Sequence, residues 1–117
     1  MIDDEVLSKV KEGLRDAGAD RVASSRDLSR ECRLVEADFG DEVLITALFE
    51  TPVEGEVLFK ITPSSRIFFG TPSCNSVKYT PYGIYGFASM EELREEVRRV
   101  AEKVLRLARN VWVGGLV

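Results

Sequence analysis

From Met90 to Val111 the apolar residues Met90, Leu93, Val97, Val100, Val104, Leu107 and Val111 recur at intervals of 3, 4, 3, 4, 3 and 4. A strand would scatter such a set over both faces. A helix gathers it into one stripe, so the spacing fixes a long amphipathic helix whose apolar side must be covered. Ser89 followed by Glu92 has the form of a capping box. Glu91, Glu92, Glu95 and Glu96 fill the first turns and Arg106 and Arg109 the last, matching the helix dipole. Ala101, Leu105 and Ala108 broaden the apolar surface, so one side is expected to lie on a sheet. The heptad seam, Leu93, Val97, Val100, Val104, Leu107 and Val111, is expected to meet a second copy. Trp112 in the apolar end after the helix favours such an interface, because a free apolar end is a liability.

Ahead of this helix the apolar period changes. Asp3 or Asp4 can cap a first helix carrying Ile2, Val6, Val10, Leu14 and Ala17 and ending at Gly18. Residues 19–31 are polar, and a loop with one short helix is expected there. From Cys32 the alternation has a period of two. Segments 33–39 and 42–51 flank Gly40-Asp41, a two-residue turn in which glycine supplies the positive φ of a type II′ hairpin. Val43, Ile45, Ala47 and Phe49 share one face of the second strand, and Leu44, Thr46 and Leu48 the other, so both faces should be covered. Strands 56–62 and 66–70 follow turns at 52–55 and 63–65. The expectation is α+β: a four-stranded antiparallel meander with an N-terminal helical segment and a long C-terminal amphipathic helix used for oligomerisation. With 117 residues it is one domain, divided into a helical segment 1–31, a sheet with an aromatic and basic loop 32–88, and a zipper-like helix 89–111.

The charge is unevenly distributed. The chain carries 20 acids, yet none lies among the 34 residues from Val57 to Met90, whose only charges are Lys60, Arg66 and Lys78. Residues 1–56 hold a net charge of −8 against +3 for 57–90. The acid-free stretch also contains seven of the ten aromatics: Phe59, Phe68, Phe69, Tyr79, Tyr82, Tyr85 and Phe87. By strand parity Val57, Phe59, Ile61, Ile67 and Phe69 face the core, while Leu58, Lys60, Arg66 and Phe68 share the opposite face. Residues 71–88, broken by Pro72, Pro81, Gly83 and Gly86, read as loop with a short strand near 77–80. A long loop with three tyrosines in a compact domain is more often functional than idle.

Histidine is absent, which removes the commonest general base and metal ligand. The carboxylates Glu36, Asp38, Asp41, Glu42, Glu54 and Glu56 lie along strand edges and turns, where charge keeps edges soluble, and no glycine-rich phosphate loop is present. No catalytic residue, metal ligand or cofactor is expected, and the protein is read as a non-enzyme. Cys32 and Cys74 fit no metal or redox spacing and read as two reduced, mostly buried thiols, a disulfide between them being the lesser alternative. No apolar run approaches the roughly 20 residues of a membrane span, and the acidic N-terminus has no signal core, so a cytoplasmic location without membrane contact is expected. The high Glu and Arg content leans towards a thermophile.

Unpaired bases stack on aromatic rings while Lys and Arg neutralise phosphates, so a single-strand-binding surface needs these residue types interleaved and free of carboxylates. Lys60, Arg66, Phe68, Lys78, Tyr79, Tyr82 and Tyr85 meet that description. Arg94, Arg98 and Arg99 are better read as a salt-bridged helix face with Glu95 and Glu96. The alternative is a protein- or peptide-binding adaptor, or a chaperone-like homodimer, in which the same rings grip another chain. The order of elements, with a helical part, an antiparallel meander, an aromatic and basic segment and a zipper-like helix, resembles the ThermoDBP single-stranded DNA-binding proteins of thermophilic archaea. The resemblance covers about Cys32 to Val111. It implies a dimer joined by the C-terminal helix through Leu93, Val97, Val100, Val104 and Leu107, and a cleft against the sheet, bearing Lys60, Arg66, Phe68, Lys78 and Tyr79, that takes single-stranded DNA without strong sequence preference. The residues themselves leave dimer or tetramer, and DNA or RNA, open.

Overall fold

The computed structural model describes residues 2–24, 32–67 and 71–109. Helix α1, Asp4–Asp16, starts where the Asp3 carboxylate accepts from the Val6 N–H at 3.1 Å, and it stops at Gly18, whose φ of 109° only glycine adopts readily. Strands β1 (Arg21–Ser24), β2 (Cys32–Phe39), β3 (Glu42–Phe49), β4 (Glu56–Pro63) and β5 (Ile84–Ser89) form one antiparallel sheet in sequence order. The sheet therefore has five strands, one more than the alternation suggests. A short helix α2, Cys74–Tyr79, lies between β4 and β5, and α3 spans Leu93–Leu107.

The β2–β3 hairpin turns at Gly40-Asp41, with Phe39 opposite Glu42 and Gly40 at φ 74°, as the sequence demands. The other boundaries differ. Residues 21–24, expected as loop or helix, gain strand pairing from Val35–Asp38. The expected strand at 66–70 is replaced over its described part by a 3-10 turn, Ser64–Arg66, and an extended Ile67; Phe68, Phe69 and Gly70 lie outside the described residues. Residues 77–79 belong to α2, Thr80 is its extended C-cap, and 84–88 of the supposed loop lie in β5. Helix α3 starts without a side-chain cap: Ser89 accepts the Glu92 N–H through its backbone carbonyl at 3.1 Å, so the capping box does not form.

Two layers cover the sheet. On one face Val10 and Leu14 of α1 and Leu93, Val97, Val100 and Val104 of α3 join Val35, Leu48, Phe59 and Ile61 in the main core. Gly86 sits across from Phe59, and a Cβ there would fall 2.2 Å from the ring, so the sequence must place glycine in β5. On the opposite face Val77 of α2 packs with Cys32, Leu34, Ile45 and Ala47. Cys32 and Cys74 are joined in a disulfide with Cα atoms 6.2 Å apart, which corrects the expectation of two free thiols. The bond ties α2 to β2, so both faces of β3 are buried, as its two apolar sides require.

The heptad seam is covered inside the chain. Leu93, Val97, Val100 and Val104 are at most 1% exposed, Leu107 is half-buried, and Val111 and Trp112 lie outside the described residues. The reason is α1: Arg94 binds Glu12 and Asp16 at 2.7 Å, and Lys9 donates to the Met90 carbonyl at 2.8 Å. A heptad stripe does not say whether its partner is a second copy or an earlier helix of the same chain, and here α1 takes the place.

Candidate nucleic-acid interface

Part of the acid-free segment forms the second face of the sheet near β4 and β5, together with the excursion between these strands, described at residues 64–67 and 71–83. Register places Lys60 opposite Tyr85 and Leu58 opposite Phe87. Parity puts all four side chains on the side away from α1 and α3. Tyr79 is 72% exposed, Phe87 52% and Tyr85 47%, while Phe59 on the other face is fully buried.

Each basic residue of the segment stands over a tyrosine. The Lys60 Nζ is 5.0 Å from the Tyr85 ring centroid, the Arg66 guanidinium carbon 5.3 Å from that of Tyr82, and the Lys78 Nζ 5.6 Å from that of Tyr79. Such pairs are attracted through the ring quadrupole. Of the three rings, those of Tyr79 and Tyr85 are also exposed.

Lys60 is not the surface charge that the sequence suggests. It is 3% exposed, and its ammonium donates to the carbonyl oxygens of Lys78 at 3.1 Å and Thr80 at 2.6 Å. Burial pushes the amine below the usual lysine range. Gly83 gives this side chain room, since a Cβ there would fall 2.7 Å from Lys60 Cε. The Tyr85 hydroxyl donates to the same Lys78 carbonyl at 3.2 Å, and the Thr80 hydroxyl donates to the Arg66 carbonyl at 3.0 Å. Lys60, Arg66, Lys78, Tyr79, Tyr82 and Tyr85 are thus brought together by one hydrogen-bonded excursion. Lys60 acts at its base as a positioning group, and Phe68 lies outside the described residues.

Beside α2 the sheet and the excursion leave a groove of about 750 Å³, lined by Phe49, Glu50, Leu58, Cys74, Lys78 and Tyr85. Sequence reasoning missed Phe87 and Glu50. Phe87 was hidden because Gly83 and Gly86 look like loop punctuation, although 85 and 87 share parity with the exposed face of a strand. Arg98 pairs with Glu95 and Glu102, and Arg99 with Glu96, so these arginines form the ion-paired helix face expected of them. Among the described residues no three His, Cys, Asp or Glu side chains are grouped to hold a metal ion, and no helix is long and apolar enough to cross a membrane.

Fold and surface define an α+β protein with a helix-covered sheet and an open aromatic face. Compared with protein-family models, curated proteins and solved structures, the chain finds no match in any of the three.

Proposed function

We propose that the protein binds single-stranded nucleic acid along the face formed by Tyr79, Tyr85 and Phe87, without catalysis or cofactor. The supporting observation is the exposure of these three rings, between 47% and 72%, in a segment that carries bases and no acids. Bases stack on the rings, and Lys78 and Arg66 at the rim neutralise phosphates. The expected likeness to ThermoDBP proteins belongs to this reading, with DNA or RNA as the strand. So does a place inside a thermophile cell, a setting in which intracellular disulfides are common.

A second reading is favoured by the groove beside the rings, lined in part by Phe49, Leu58 and Tyr85: a peptide gripped by the same rings. Anisotropy titration with a labelled oligothymidine at two salt concentrations, with duplex DNA as competitor, separates the two. Strand binding weakens with salt and resists duplex, because released counterions set its affinity. Flat curves at low salt reject it and leave the peptide.

A further inference from the structure

The two edges of the sheet are built differently. Strand β1 has four residues, begins with the exposed Arg21, and pairs with a stretch of β2 containing Glu36 and Asp38. It is short and charged, as protected edges are. Strand β5 has six residues, Ile84–Ser89, with neither a charge nor a proline, and among the described residues nothing pairs with its outer side.

The direction of its backbone groups follows from the register. The two-residue turn makes Phe39 and Glu42 a hydrogen-bonded pair, and alternation across the sheet assigns Ile84, Gly86 and Ala88 to bonding with β4. The Met90 N–H, which donates to the Gly55 carbonyl at 3.0 Å, continues that series. Tyr85 and Phe87 therefore direct their N–H and C=O groups outward, in the plane of the sheet, while their rings stand on the open face.

We propose that this edge pairs with the same edge of a second copy, antiparallel, about a two-fold axis at Gly86. Tyr85 of each copy then exchanges both backbone hydrogen bonds with Phe87 of the other, roughly four bonds in all. Gly86 faces Gly86, where the close approach of a non-bonded pair meets no side chain. An antiparallel edge is self-complementary under such an axis, and an uncharged strand meets no like charge when set against itself. The exposed Tyr85 and Phe87 rings become cross-strand aromatic neighbours. The second copy thereby extends the aromatic face, although the pairing does not depend on strand binding.

Light scattering of the full chain without nucleic acid, at tens of micromolar, tests this together with amide hydrogen exchange. The expected mass is about 26 kDa, twice the 13.1 kDa of the chain. Phe87→Pro removes an outward N–H and leaves the β4–β5 bonds in place, so it should give a folded monomer. Should that variant unfold, wild-type exchange decides: the Tyr85 and Phe87 amides should exchange roughly tenfold or more faster on dilution to monomer. A wild-type monomer, a folded Phe87→Pro dimer, or amides at 85 and 87 whose protection ignores dilution would each overturn the proposal.

Discussion

Lys60 Nζ lies 2.6 Å from the carbonyl oxygen of Thr80, so a buried charge on β4 holds down the segment that carries Tyr79. Replacing it should separate fold from binding. Lys60→Met takes the ammonium from the Thr80 carbonyl and leaves the Lys78 carbonyl only the Tyr85 hydroxyl, at a cost of about 1–3 kcal/mol. In urea titrations the variant should stay cooperative, and its strand affinity should fall because the excursion is no longer fixed.

The same residue gives a pH dependence. Its folded-state pKa is lowered, so between that value and the ordinary 10.5 the unfolded chain binds more protons, and stability rises with pH. The burial penalty is full below the folded pKa and is relieved as pH climbs towards 10.5. Urea midpoints of wild type minus those of Lys60→Met should increase across that alkaline window; a flat difference would contradict the assignment.

Tyr79 is 72% exposed, so Tyr79→Ala should leave the thermal midpoint nearly unchanged. Loss of one stacked base should weaken strand binding by about 1–3 kcal/mol, roughly 5- to 150-fold. Equal affinities for variant and wild type would remove Tyr79 from the interface.

Reduction of Cys32–Cys74 should lower unfolding free energy by about 2–4 kcal/mol, since the bond closes a loop with a sequence separation of 42. Urea unfolding with and without a dithiol reductant measures it. Limited proteolysis should then cut first around α2.

Val100 is 1% exposed, and Val100→Asp places an unpaired carboxylate in the main core. The expected result is loss of the folded state at neutral pH, visible as a collapsed far-ultraviolet spectrum, because a charge cannot be buried there unpaired. A folded monomer would show instead that the seam lies at a subunit boundary.

Much of the frame was legible because period and punctuation agree. The Asp3 cap, the Gly18 stop and the Gly40 turn are each set by one local requirement, and β3 is apolar on both faces, as a strand covered on both sides must be. Strand β1 was not legible, since Arg-Val-Ala-Ser becomes a strand only through its pairing with β2. Helix α2 has six residues, too few for a helical period, and its Ser73–Ser76 capping box is a detail of side chains. Glycine at 86 looked like a turn signal, whereas the Phe59 ring across the strand pair demands it. At the site, composition showed the bases and tyrosines. It did not show that Lys60 is buried, because a lysine's charge argues for the surface unless nearby carbonyls can be seen.

The contact between α1 and α3 joins elements some 80 residues apart, with Lys9 bound to Met90 and Asp16 to Arg94. Every strand pairs with its neighbour in sequence, so the sheet can zip together as the chain emerges from the ribosome. Its helix-covered face cannot close at that stage. Until Val104 is synthesised, the core around Phe59, Ile61 and Leu48 lacks the part that α3 supplies, and the nascent chain presents an apolar slab that chaperones, or neighbouring chains on the same message, can reach.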